Sequence, residues 1–229
     1  MNFVIVHYNT PELTECLCAS IYKFCKDAKI TIFDNSDKRP FTKSELFDIE
    51  YYDNTKDQII NFEKFFSKLP IDNFIKNLNN LGSAKHALSI DYLIKNLNVD
   101  EFCLLDSDIL IKKPLDFFNS DYITIGELSN DKRILFNNKI RMQRIFPHCQ
   151  YINVKRIKDL NISYFDSNRI TGVDISKLDY DTGASFYEDI KNENIKFINL
   201  NDYVIHFGAA SWENKNYKQW LISNKEYWR

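Results

Sequence analysis

Glycine and proline are scarce in this chain, with five of each in 229 residues. No stretch holds enough of either to form a linker and no segment repeats, so a single domain spanning 1–229 is expected. Cysteine is equally scarce: Cys16, Cys18, Cys25, Cys103 and Cys149 are odd in number and contain no CxxC pair. Cys103 lies within an apolar run, where a thiol behaves as a small hydrophobe, and the set as a whole fits a reducing compartment. No run is long and apolar enough to span a bilayer. The opening MNFVIVHYNT lacks the basic region and long apolar core of a signal peptide, so a cytoplasmic location is expected. Net charge is also lacking: 30 basic and 32 acidic residues leave −2, which gives no general attraction to nucleic acid.

What is present is a large apolar share, 44%, of which many residues are aromatic. That suffices for an ordered core in a chain of this length. Phe3-Val4-Ile5-Val6 reads as a buried first strand. Thr10 and Pro11 then read as the N-cap and first residue of a helix, with Leu13, Leu17, Ile21 and Phe24 on its core face. Lys29 to Phe33 is a second strand ending in Asp34-Asn35-Ser36-Asp37, and strand, helix and strand together imply a parallel sheet. Glu50 to Tyr52 reads as a third, edge-like strand. Gln58 to Leu78 reads as helix broken at Leu69-Pro70, Asn79 to Gly82 as a loop, and Ser83 to Leu97 as helix. The second half is less regular, with strands at Tyr122 to Ile125, Gln150 to Val154, Lys196 to Leu200 and Val204 to Phe207. A short helix is expected from Ser185 to Lys191 and an aromatic, basic helical tail from Asn214.

The tripeptide Asp106-Ser107-Asp108 lies between two apolar runs, Phe102 to Leu105 and Ile109 to Ile111. A core strand that ends in two carboxylates places acid at the mouth of a cleft, where open α/β sheets bind ligands. Hard carboxylate oxygens suit Mg²⁺ or Mn²⁺ bridging to a diphosphate. The plain alternative is a surface turn, which Asp also favours. Asp34 ends the second strand and should share a sheet edge with Asp106. There it either accepts from the base or ribose of a nucleotide or closes a turn. His206 follows an apolar strand and precedes Gly208-Ala209-Ala210-Ser211, and its imidazole is an acceptable Mn²⁺ ligand.

Three stretches carry a family resemblance: VIVHYNTPELTECLCASI with TIFDNSD, NLGSAKHALSIDYLI leading into EFCLLDSDILIKKPLDFF, and IHFGAASW. The chain resembles GT-A glycosyltransferases, and its opening is similar to that of inverting family-two members. The resemblance implies a single Rossmann-like α/β domain with a mostly parallel central sheet flanked by helices. Residues 1–108 would form the nucleotide-sugar half and 109–229 the acceptor half and tail. It implies a nucleotide-sugar donor, a UDP-sugar foremost, a saccharide or lipid-linked acceptor, and a Mn²⁺ or Mg²⁺ cofactor. Asp34 resembles the aspartate that contacts the base. Asp106 matches the first carboxylate, serving ribose and metal-bound water, and Asp108 matches the metal ligand. His206 resembles the late metal or diphosphate ligand, although His-Phe-Gly is tighter than the commoner His-Phe-x-Gly. His7 stands where the family has a small hydroxyl residue.

Asp181, in Tyr180-Asp181-Thr182-Gly183, is the candidate base for an inverting reaction, because such domains often carry an acid in this part, with a helix N-cap or turn as the alternative. Lys85 is a candidate second positive charge for the diphosphate, with a solvated surface lysine as the alternative. Pro147-His148-Cys149 is a candidate lining of the sugar site. From Lys132 to Lys158 there are eight basic residues and no acid, which suggests an anionic acceptor or peripheral contact at the inner face of a membrane. The tail aromatics are expected mainly to cover the core. Two other classes remain open. One is a haloacid-dehalogenase-like phosphatase using the same tripeptide, although its later Ser/Thr and Lys motifs are missing. The other is a non-catalytic nucleotide-sugar-binding subunit.

Overall fold

A strand buried on both faces needs apolar side chains on both. The first strand, β1 (Asn2–His7), meets this by sending Phe3 and Ile5 into one core and Val4 and Val6 into another. The computed structural model describes residues 1–68, 81–129, 140–167, 169, 178–208 and 217–229. After β1 come α1 (Pro11–Phe24), β2 (Lys29–Asp34), β3 (Ile49–Asp53), α2 (Phe62–Phe66), α3 (Leu81–Asn96), β4 (Glu101–Asp106) and β5 (Ile109–Ile111). Then follow β6 (Thr124–Gly126), β7 (Ile140–Arg141), β8 (Cys149–Asn153), α4 (Val154–Asp159), β9 (Leu178–Asp179), α5 (Ala184–Ile190), β10 (Ile195–Phe197), β11 (Val204–His206) and α6 (Tyr217–Ser223).

Among the described residues seven strands form the main sheet, in the order β10-β6-β8-β4-β1-β2-β3. All pair in parallel except β8, which runs against both β4 and β6. This is the mixed α/β, mostly parallel sheet flanked by helices that was expected. Helix α1 covers one face with Leu17, Cys18 and Ile21, and α3 covers the other with Ala84, Ala87, Ile90 and Leu93. Register aligns Val6 with Asp106 and His7 with Asp34, so both acids reach the same carboxyl edge.

Several elements differ from the sequence reading. Thr10 occupies the N-cap position of α1, but its side chain makes no capping bond; its hydroxyl pairs with Ser107 Oγ at 2.9 Å. Pro11 at the first turn has no N–H to satisfy, which lowers the demand for a cap. Of the helix expected from Gln58 to Leu78, only α2 is described; Leu69-Pro70 and the residues to Asn80 lie outside the described residues. Leu81 and Gly82 belong to α3 and not to the preceding loop. Strand β5 leaves the main sheet and pairs antiparallel with β11. In the tail, Tyr217, Trp220, Tyr227 and Trp228 pack around Leu13, Cys16, Leu110 and Leu221, while Trp212 lies outside the described residues. Among the described residues no helix is long and apolar enough to cross a membrane.

His7 is fully buried at the end of β1. Its Nδ1 lies 2.7 Å from Thr14 Oγ1, and its Nε2 lies 3.4 Å from the Arg39 carbonyl and 4.0 Å from Asp34. Burial holds its pKa below the ordinary 6.5, outweighing the attraction of Asp34. The unfolded chain therefore takes up a proton near 6.5 that the folded chain refuses. Stability present above that pH is lost as pH falls towards the folded value. Replacing His7 with Asn should lower stability at pH 7.5 by about 1 kcal/mol for the altered hydrogen bonds. It should also flatten the fall in unfolding free energy between pH 7.5 and 5.5. Urea titrations at each pH test this, and a slope as steep as the parent's would remove His7 as the cause.

Candidate metal centre

Strand β4 runs apolar to its last residue and then delivers Asp106 at the sheet edge. The turn through Ser107 and Asp108 leads into β5, whose Ile109 lies opposite His206 on β11. The amide of Phe207 donates to the Asp108 carbonyl at 2.9 Å, extending that pairing past His206. Nearly a hundred residues of chain thus close on one point. One ligand atom from each of Asp106, Asp108 and His206 lies within 4.8 Å of the others. Asp108 is buried, Asp106 partly buried and His206 exposed, so the group opens towards solvent on the histidine side. Two carboxylates and an imidazole form a donor set suited to a divalent cation.

Electrostatics mark the same point. Burial, and then the like charge of Asp108, raise the Asp106 pKa, with His86 and His206 opposing. For His206 burial works against protonation, but Asp108, at 3.2 Å from Nε2, and Asp106 outweigh it and raise the pKa. His148 stacks on the His206 ring with centroids 4.4 Å apart, and its carbonyl accepts from the Asp106 amide at 3.2 Å. Burial and the neighbouring imidazole push the His148 pKa down to about 3, which keeps it neutral. Of the candidate sugar-site lining Pro147-His148-Cys149, His148 lies against the His206 ring and Cys149 in the core. His86, on α3, was not singled out by sequence; its Nε2 lies 3.5 Å from Asp106 Oδ1. One signal for it was available: the chain has only four histidines.

The remaining expected residues sit elsewhere or are otherwise engaged. Asp34 is fully buried. One of its oxygens accepts from the Ser36 amide at 2.8 Å, and the other from the Phe41 amide at 2.7 Å and the Tyr51 hydroxyl at 2.8 Å. It shapes the 35–41 loop from within and offers no surface to a base. Lys85 places its ammonium 5.1 Å from the centre of the Phe62 ring, a cation–π contact.

Asp181 accepts from Ser83 Oγ at 2.6 Å and from the Thr182 amide at 2.8 Å. It pairs with Arg144 at 2.7 Å and Arg141 at 3.6 Å. Burial works to raise its pKa, but Arg144, Ser83 and Arg141 overcome this and hold it below the usual carboxylate value. A carboxylate so held is a weak proton acceptor and a strong anchor for Arg144, whose charge is felt at Asp106. The loop reaches this place through Gly183, at φ +87°, where a Cβ would lie 2.7 Å from the Ile145 carbonyl.

The basic segment is partly outside the described residues, from 130 to 139. Of the rest, Arg141 and Arg144 are paired as above. Arg156 donates to the Asp121 carbonyl at 2.6 Å and Lys158 to the Leu97 carbonyl at 3.4 Å. These four charges are tied to the fold itself, while Lys155 is exposed.

No family model matches the chain, and no curated protein sequence matches it significantly. Solved structures do. One is the galactosyltransferase LgtC in complex with donor and acceptor sugar analogs, at 12% identity over 87% of this chain and 74% of that chain, TM-score 0.49. Another is the glycosyltransferase GlyE of Streptococcus pneumoniae, at 9% identity over 98% of this chain and 49% of that chain, TM-score 0.44. A third is mouse xyloside xylosyltransferase 1, at 8% identity over 69% of each chain, TM-score 0.41. All three are glycosyltransferases. The likeness is distant, and the chemistry of this chain rests on its own residues.

Asp181→Asn keeps the shape of the side chain but leaves Arg144 without its charge partner. The substitution should lower the unfolding free energy by about 2 kcal/mol, a typical loss for a hydrogen bond to a charged group. Urea melts measure it; a variant as stable as the parent would free Asp181 for a role other than anchoring.

Proposed function

We propose that this chain is a metal-dependent glycosyltransferase. It would move a sugar from a nucleotide-diphosphate donor, a UDP-sugar foremost, to a saccharide or lipid-linked acceptor. The observation that carries this reading is the meeting of Asp106, Asp108 and His206 at the carboxyl edge of a parallel sheet, open to solvent on one side. Ligands of open α/β sheets bind at that edge. Two of the three sequence stretches that resemble GT-A enzymes contain these same residues.

The donor set fits a divalent cation, and its imidazole favours Mn²⁺ over Mg²⁺. Asp106, Asp108 and His206 would hold the ion, which when bound supplies Lewis-acid stabilisation of the charge on the departing diphosphate. The chain's own residues do the rest. Arg144, fixed by Asp181, sets a positive charge whose pull reaches Asp106. His148, neutral and stacked on His206, limits the movement of that ring. The 35–41 loop, which Asp34 shapes and Asn9 latches through the Lys38 and Arg39 amides at 3.0 and 2.9 Å, would flank a nucleotide bound at this edge. A product in a surface polysaccharide or glycoconjugate suits this acceptor class, as does work at the inner face of a membrane.

Thermal melts with UDP and Mn²⁺ test the reading. At a hundredfold excess over Kd the ligands should stabilise the protein by about 2.7 kcal/mol. In a domain of this size that raises the melting temperature by roughly 5–10 °C. Neither UDP nor Mn²⁺ alone should match the pair, and Asp108→Ala should abolish the joint effect. If no nucleotide shifts the parent with or without metal, and Asp108→Ala behaves identically, the reading fails.

A further inference from the structure

Three of the four histidines converge on the acidic tripeptide, and two of them have evident roles there. His206 joins the triad and His148 stacks on it. His86 is unaccounted for. Its Nε2 is shielded from solvent and has no hydrogen-bond partner, yet it lies 3.5 Å from Asp106 Oδ1. A buried polar atom without a partner is costly, and such groups are rare in folded proteins.

Looseness does not explain it. Helix α3 is pinned on both sides of His86. Ser83 donates to Asp181 at 2.6 Å, and Ser89 accepts from the Asn35 amide group at 2.8 Å. Ala84 and Ala87 are fully buried against the sheet. The ring is therefore held facing a carboxylate by the packing of its own helix. Among the described residues, the ligand atoms that approach one another within 4.8 Å belong to Asp106, Asp108 and His206, and His86 is not in that set. It lies against Asp106 without joining the set.

We propose that His86 is a positioning residue for the metal site. With a cation bound at the triad, its Nε2–H would donate to the Asp106 carboxylate and orient that group towards Asp108 and His206. The proposal rests on the reading of the triad as a cation site. Asp106 and Asp108 repel one another when both are ionised, and a donor behind Asp106 offsets that repulsion without occupying a place among the ligands. Hydrogen-bond partners behind metal ligands commonly control affinity by about 10- to 100-fold.

The test is Mn²⁺ binding alone, followed by electron paramagnetic resonance of the free ion, with no turnover required. His86→Leu removes the donor and should weaken Mn²⁺ binding about 10- to 100-fold. His86→Gln, whose amide nitrogen reaches nearly as far as Nε2, should recover most of the affinity. The metal-free melting temperature of the Leu variant should not fall, because no existing hydrogen bond is lost. Nitrogen modulations in the spin-echo signal of bound Mn²⁺ should report one imidazole in the parent and in the Gln variant alike. A Leu variant that binds like the parent overturns the proposal. So does a parent signal with two imidazoles that drops to one in His86→Gln, since that makes His86 a direct ligand. A parent that binds no better than Asp108→Ala overturns the cation site itself and this proposal with it.

Discussion

The pairing of Ile109–Ile111 with Val204–His206 is the contact on which the rest of the site depends. The strand before it, β4, is fixed by its neighbours in the main sheet, and by itself would only present acid to solvent. Three backbone pairs and the Phe207–Asp108 hydrogen bond bring His206 to the same place. The ladder is short, but both strands are largely sealed: Ile109, Leu110, Ile111 and Val204 are all buried. Apolar burial thus sets the distance between a carboxylate and an imidazole that are almost a hundred residues apart in the chain.

Placing two carboxylates side by side creates a charge problem, and the surrounding residues answer it in layers. His206 and His86 face the acids directly. Arg144 stands farther back, and its own charge is balanced by Asp181, which Ser83 also holds. The outcome is a set of paired groups around one opening, with the unbalanced acid kept at the centre. The positive charge that is conspicuous along the sequence from Lys132 to Lys158 contributes to this balance through Arg144.

The sheet was legible because its central strands are short apolar runs, and β1, α1 and β2 were placed within a residue or two. The meeting of Asp106, Asp108 and His206 was legible for the same reason, as each adjoins an apolar run. The roles of Asp34, Lys85 and Asp181 were less so. A side chain's partners depend on atoms far away in sequence: Tyr51 for Asp34, Phe62 for Lys85, Arg144 for Asp181. Nothing in the local pattern of any of the three announces such a partner. His86 was hidden differently, on a helix whose periodicity says only which face is inward, not that one ring would stop against a carboxylate.

The bond between Thr10 and Ser107 gives the middle residue of the acidic tripeptide a task of its own. A hydroxyl that ought to close the first turn of α1 is given over to the turn between the two acids, so helix and turn form one body. The backbone between the acids is held before any ligand arrives, and its loss of freedom belongs to folding and not to binding. A bulky residue at position 107 would separate that body into two parts, leaving both carboxylates in the sequence and neither in register.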